Sequence, residues 1–503
     1  NWFVVGSSLF AASVSSSTLM GHSGEGFISG IAVFNYNVGA IFVIIFVSLF
    51  FLPFYIKSGI YTIPEYLGRR FDNRSRKYFS FITIIGNVFL DAGAALYTGA
   101  LILKIIFPEI DMMWIIIGMA LMAGTYTIIG GLSSAINADM IQSIILIAGS
   151  VLLSIFCFNS VGGWENFVEH FHDGVWLNLI RPNSDTTVPW FSIFLSIPIL
   201  GFYFWGNNQV IVQRVMSAKT VNEGRLGFLF VAFLYVFTLF IFIAPGMVGR
   251  MIDLFGVGDT LPNEIIDGNT LRAQYGIDTN EVYPRLILKL LPVGLIGVMI
   301  ACMVSALTST LSATLSSVST LFTMDFYKSW RPESSPRHLV RVGQWTSFIA
   351  LVVAVLWAPL IGKFASLVAY YQEFSSYLAP PIVGTFLVGL FWKGSTRNGA
   401  FAGLMSGLAM SALIMTYKFG FGGVVPFHFL LWVPILLILS VLVNIIVSKC
   451  DRNKETDVET YTWNKSVWQD DTRELKTVPW YKNFRYISIA LIIIALLEYW
   501  WFF

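Results

Sequence analysis

The sequence predicts an all-α polytopic membrane protein: a five-plus-five inverted-repeat transporter core with discontinuous first and sixth helices, plus peripheral helices. Three observations carry this prediction. Apolar windows long enough to cross a bilayer, about thirteen of them, run from one end of the chain to the other. The connections between them alternate between basic and acidic. The first and sixth windows are crowded at mid-membrane depth with glycines, hydroxyls or amides, and they hold corresponding places in two groups of five.

Composition sets the class. Of 503 residues, 56% are hydrophobic and 12% charged, with mean hydropathy +0.72; the charged fraction is about half that of an ordinary soluble protein. The 44 Phe and 16 Trp suit lipid-facing surfaces and interfacial belts, and the runs lack the alternation of an outer-membrane barrel. A net charge of +2 over short loops offers no field for nucleic acid. No GxxxxGK[ST] phosphate loop is present, so nucleotide-driven pumping is not supported by this chain, and no nucleophile–base pair or metal cluster points to an enzyme. Cys157, Cys302 and Cys450 read as free thiols. The sequence opens at Asn1, without Met and inside an apolar run, which predicts a further N-terminal helix. No feature specifies an oligomeric state.

The windows lie near 2–24, 28–55, 77–106, 112–131, 136–159, 189–213, 225–250, 285–324, 339–362, 366–392, 398–417, 425–448 and 486–503. Residues 1–159 make the first repeat, 160–188 an outer loop, 189–392 the second repeat, 393–448 peripheral helices, 449–485 a cytoplasmic segment and 486–503 a C-terminal span. Lys57, Arg69, Arg70, Arg74, Arg76 and Lys77 follow the second window, whereas Glu109 and Asp111 occupy the next visible loop. Arg214, Lys219 and Arg225 are followed by Asp253, Asp259, Glu264 and Asp267, and those by Lys328, Arg331, Arg337 and Arg341. Basic loops belong in the cytoplasm of a cell-membrane protein, which puts Asn1 inside and Phe503 on the extracellular or periplasmic side. Two extramembrane segments have any size, 162–189 outside and 451–482 inside, and neither is long enough for a typical second domain.

The first window contains LFAASVSSSTLMGHSGEGF, residues 9–27. Either its small residues pack a helix interface, or the helix opens and its carbonyls face a buried cation. The sixth window contains GFYFWGNNQ, residues 201–209, whose aromatics either pack the core or cover the apolar face of a solute beside a break at the glycines. Asn37 and Asp91 lie within the second and third windows. An intramembrane charge is unfavourable by roughly 2.5–3.5 kcal/mol on insertion scales, so Asp91 is a ligand-site candidate, with a buried interhelical hydrogen bond as the alternative. In the eighth window Ser305, Ser309, Ser312 and Ser316 recur every three to four residues with Thr310 adjacent. Such a face offers oxygens to a hard monovalent cation, and it also packs helices. Gln372, at the start of the tenth window, brings donor and acceptor to a hydroxylated ligand.

These stretches resemble the solute:sodium symporter family, and within it the sodium/glucose cotransporter branch. The similarity runs through YIKSGIYTIPEYLGRRF, YTIIGGLSSAINADMIQ, NNQVIVQRVMSAKT, TLFTMDFY and YLAPPIVGTFLVGLFWKGSTRNGAF. The resemblance implies a sodium site made by the carbonyls of Ala11, Val14 and Ala306 and the hydroxyls of Ser309 and Thr310. A second sodium in some relatives would fall at Asp139, Ser309 and Ser312, but Ala313 lacks the matching oxygen, which favours one sodium. Trp205 and Gln372 agree with the sugar-transporting pattern, and Phe204 stands where a gating tyrosine is usual. Ser13 replaces an Asn, Thr18 a His or Gln, Asn37 a Glu and Tyr235 a Lys, while Asp91 stands where relatives carry Asn, Lys or Arg. The run VSSST, residues 14–18, is also similar to sialic-acid-transporting relatives, but Asp91 would repel a carboxylate.

The leading expectation is sodium-coupled import of a small polar solute, a sugar or related polyol, by alternating access in a lipid bilayer. A carboxylate-bearing solute such as sialic acid or an amino acid is the first alternative. A sodium-independent uniporter, or a sensor read through 451–482, is the second.

Overall fold

The first span is two helices joined by a break. α1 (Trp2–Ser13) stops before Ser15, which is extended at φ −90°, ψ 168°, and α2 (Ser16–Ser29) starts from it. Ser15 Oγ accepts from the Thr18 N–H at 3.3 Å, and Thr18 Oγ1 accepts from the Ser15 N–H at 3.4 Å. This reciprocal capping box satisfies amides that would otherwise be stranded in a membrane interior. With its N–H turned to Thr18, Ser15 leaves the Ala11 carbonyl outside the helical ladder.

The computed structural model describes residues 2–502 apart from 59, 61, 131–134, 173, 259–260, 263, 424–426, 452–458 and 477, and the side chains at 57–58, 126–130, 135–143, 460 and 466 also lie outside the description. α2 ends at Gly30, whose φ of 67° is open to glycine, and a Cβ there would collide with the Trp176 carbonyl. The chain then reverses. His22 Nε2 and Asn37 Oδ1 lie 3.1 Å apart, whereas fifteen residues of uninterrupted helix would separate them by about 22 Å. α3 (Phe34–Phe50) therefore runs back beside α2, starting later than the expected window at 28.

α4 (Asn73–Ile106) carries a π-helical turn at Gly86–Ala92. α5 (Met112–Gly130) and α6 (Ala135–Ser160) follow. The sixth span is α7 (Trp190–Asn207) and α8 (Gln209–Met216). Its break falls at Asn208, not at the glycines: Gly201 and Gly206 sit in helical backbone, while Asn208 is extended and caps α8 through the Val210 and Ile211 amides. An Asn side chain can supply these cap bonds and a glycine cannot.

α9 (Val221–Tyr235) and α10 (Leu239–Met251) form one span bent by 46°. The single window expected at 285–324 is two elements, a short α11 (Val282–Leu290) and a long α12 (Val293–Trp330), separated at Pro292, which has no N–H to continue a ladder. α13 (Pro336–Ile361), α14 (Leu367–Phe391), α15 (Arg397–Gly420), α16 (Phe429–Cys450) and α17 (Phe484–Trp501) complete the chain. Among the described residues nine helices are long and apolar enough to cross a membrane, or up to eleven if each of two bent pairs is one span. The chain is an all-helical polytopic membrane protein with discontinuous first and sixth spans. α14 is enclosed along most of its length, whereas α12 is largely uncovered.

Away from the basic connections, α2 interlocks with its neighbours through small residues. A Cβ on Gly24 would lie 2.6 Å from the Thr279 carbonyl, and one on Gly26 or Gly246 would overlap the carbonyl of Ile243 or Ser23. Ser366 Oγ donates to the Glu25 carboxylate, and Asn280 Oδ1 accepts from the Leu367 N–H at 2.9 Å. Thr279 and Asn280 belong to 252–281, a third sizeable extramembrane stretch that the sequence analysis passed over, held by Arg272–Asp278 at 3.2 Å. On the basic side Arg76 pairs with Asp325 at 2.7 Å, and buried Arg225 pairs with Asp471 at 2.7 Å, tying the segment before α17 to α9. Because the Gly26 contact is backbone against backbone, Gly26→Ala is expected to destabilise the fold by about 1–3 kcal/mol. Thermal unfolding in detergent checks it; an unchanged midpoint would mean that α2 and α10 are free to separate.

Candidate functional site

The two breaks define the site. On the α2 side, Ser16 Oγ donates to the Met303 carbonyl of α12 at 3.0 Å. Met303, Ala306 and Thr310 follow one another at three- and four-residue steps, so that bond sets the opened stretch beside the hydroxyl face of α12. Thr310 Oγ1 donates to the Ala306 carbonyl at 3.0 Å, which leaves the hydroxyl lone pairs free to face outward. Ser309 and Thr310 are half-buried and Ser312 is buried. Ala11 and Val14 flank the break itself. Asp139 lies in α6 at a position whose side chain is outside the described residues.

The solute candidates separate into two groups. Buried Ser13 donates to the Phe10 carbonyl at 2.9 Å and lies against the Tyr235 phenol. Buried Trp205 meets the same Tyr235 ring edge-on at 5.4 Å, with half-buried Phe204 5.2 Å away. In the second group Asp91 Oδ1 accepts from the Tyr371 phenol at 3.2 Å, next in sequence to Gln372. Among the described residues nothing hydrogen-bonds to the Gln372 side chain, which is half-buried and free to meet a ligand.

Asn37 and Thr18 are already engaged. Asn37 Nδ2 donates to Thr238 Oγ1 at 2.7 Å and its carbonyl oxygen faces His22 at 3.1 Å, so both ends of the amide are taken by the fold. Thr18 Oγ1 serves the capping box and also reaches the Ser13 carbonyl at 3.3 Å. Ser17 and Thr98 share a bond of 3.1 Å that joins α2 to α4. Sequence reasoning missed His22, Ser17, Thr98 and Tyr371. His22 carried a usable signal, an ionisable ring in mid-window. Tyr371 carried none beyond standing next to Gln372.

Two opened spans meeting beside an oxygen-lined helix, with the α2 N-terminus aimed at the gap, define a secondary transporter rather than a channel or a catalyst. The chain belongs to the sodium:solute symporter family, whose model matches residues 1–407. It is 32% identical over 486 residues to solute carrier family 5 member 4 of Rattus norvegicus, covering 89% of this chain and 71% of that one. To sodium/glucose cotransporter 1 of Oryctolagus cuniculus it is 31% identical over 483 residues, covering 89% and 72%. A solved structure of a Na+-coupled sialic acid symporter in a substrate-bound outward-open state superposes with a TM-score of 0.71 at 23% identity, over 90% of this chain and 91% of that one, which establishes the shared fold. The protein is thus a sodium-coupled symporter of a small solute and not an enzyme.

The hydrogen bonds give a direct test of roles. Asn37→Ala strands His22 and Thr238 and is expected to lower folding stability by about 1–3 kcal/mol. Gln372→Ala removes no internal bond and should leave the thermal midpoint in place while weakening solute binding. Equal midpoints for the two variants would contradict this division.

Proposed function

We propose that the solute is a small hydroxylated molecule, a sugar or related polyol, imported with sodium by alternating access. The observation that carries this reading is the unengaged, half-buried amide of Gln372, next in sequence to the Tyr371 whose phenol meets Asp91. An amide and a carboxylate accept from hydroxyls, and a ring can cover an apolar sugar face. The relative named for sodium and glucose transport supports the same class. A carboxylate-bearing solute fits less well, because among the described residues no cation pairs with Asp91 to offset a second negative charge.

Sodium is the co-transported ion. The carbonyls of Ala11, Val14 and Ala306 with the hydroxyls of Ser309 and Thr310 are the oxygens we assign to it, a neutral set suited to a monovalent cation. Asp139 and Ser312 do not make a second site in this reading, since Ala313 contributes no oxygen. Sodium draws the opened end of α1 toward α12, which sets the first span in the arrangement that binds solute. By linkage the solute then raises sodium affinity equally. One group of helices rocks against the other about this centre, and both ligands leave on the side of the basic connections, which we assign to the cytoplasm.

A thermal-shift screen of sugars, polyols, uronic acids, sialic acid and amino acids, in sodium and in potassium, tests the reading. A sugar or polyol at a hundred times its Kd should stabilise the protein by about 2.7 kcal/mol in sodium and far less in potassium. Equal stabilisation in both would point to a uniporter or sensor. Thr310→Val, which keeps the shape and removes one oxygen, is expected to raise the half-saturating sodium concentration about tenfold, the size of one lost bond to a charged group. An unaltered sodium dependence would remove Thr310 from the site.

A further inference from the structure

Asp91 differs from three other enclosed carboxylates, and like Glu25, which takes a bond from Ser366, it has no basic partner among the described residues. Asp325 has Arg76, Asp471 has Arg225 and Glu373 has Lys418, each in direct contact. Among the described residues no Lys, Arg or His pairs with Asp91, and its one hydrogen bond comes from a neutral phenol, Tyr371. It sits in the π-helical turn of α4, a local widening frequent at functional sites, and it is only half-buried.

Its surroundings suit a cation. Tyr203 and Tyr371 are half-buried rings close enough to feel the Asp91 charge, and ring faces attract ammonium groups. Tyr370 is otherwise occupied: its phenol donates to the Phe89 carbonyl and accepts from the Trp357 indole, both at 2.7 Å, so it braces the wall instead of binding. Gln372 stands next to Tyr371 with its amide unengaged. A neutral polyol could hydrogen-bond to Asp91 but would leave its charge uncompensated at membrane depth, where an unpaired charge is costly. An ammonium group supplies both N–H donors and the missing charge in one charge-assisted bond.

We propose that the solute of this symporter is a hydroxylated amine, an amino sugar or amino polyol carried as its ammonium form, with Asp91 as counter-ion and Gln372 meeting its hydroxyls. This rests on the reading above that Asp91 and Gln372 belong to one sugar or polyol site. With one sodium per cycle, an ammonium solute moves two positive charges where a neutral sugar moves one.

The experiment uses the purified protein in sodium with three matched probes: glucosamine, its neutral N-acetyl derivative and glucose. Glucosamine is expected to bind at least tenfold tighter than either neutral probe, and Asp91→Asn should abolish that preference. In wild-type proteoliposomes the charge moved per solute should be one unit larger for glucosamine, a readout that does not depend on the variant folding. Glucose binding as tightly as glucosamine, or a preference that survives Asp91→Asn, overturns the amine assignment and leaves the sugar site standing. If none of the three probes binds in sodium, the sugar or polyol reading itself falls.

Discussion

The capping box at Ser15 and Thr18 is the constraint on which the rest depends. A helix opened inside a membrane exposes N–H and C=O groups that water cannot reach, and each must find a partner within the protein. The two hydroxyls close the N-terminus of α2 upon itself. They leave the carbonyls at the end of α1 outside the ladder, and of the two backbone groups only the carbonyl can serve a cation. The same box fixes where α2 begins, and with it the direction in which Ser16 reaches Met303 and Ser17 reaches Thr98. Asn208 performs the corresponding task at the second break with one amide side chain.

The two ends of the molecule are held by different means. Away from the basic connections, glycine-mediated contact brings α2 against α10 and 252–281 at backbone distance, and polar side chains such as Ser366 and Asn280 lock the approach. On the opposite side the ion pairs Arg76–Asp325 and Arg225–Asp471 reach between separate elements, alongside a further glycine contact of α1 with α9 at Gly6 and Gly227. Small-residue contacts act at short range and are lost together when helices separate, whereas long side chains can follow a moving partner.

The site is economical in polar groups. Asn37, His22 and Thr238 form a closed bridge that braces α2 against α3 and α9, and they have little capacity left for a ligand. Asp91 and Gln372 keep capacity in reserve. In the site proposed here that distinction would set specificity, because an unsatisfied buried group rejects any solute that fails to satisfy it.

Much of the fold was legible in the sequence because lipid imposes local rules. Apolar windows mark spans, and hydroxyls or amides at mid-window mark breaks, since only there can an opened backbone be satisfied nearby. The eighth window, α12 in the structure, showed its oxygen face through spacing alone. The errors were local ones of register: the break at Asn208 instead of the glycines, the division at Pro292, and the later start of α3. Which polar groups are already engaged was not legible. Asn37 meets His22 because Gly30 turns the chain back, and Asp91 meets Tyr371 because α4 and α14, 280 residues apart, present those side chains to each other. Sequence by itself determined the class of protein, the spans and the two opened helices, because each follows from hydrogen bonding within a few residues. Tertiary structure decided which polar side chains remain for ligands, because that depends on partners brought together only by packing.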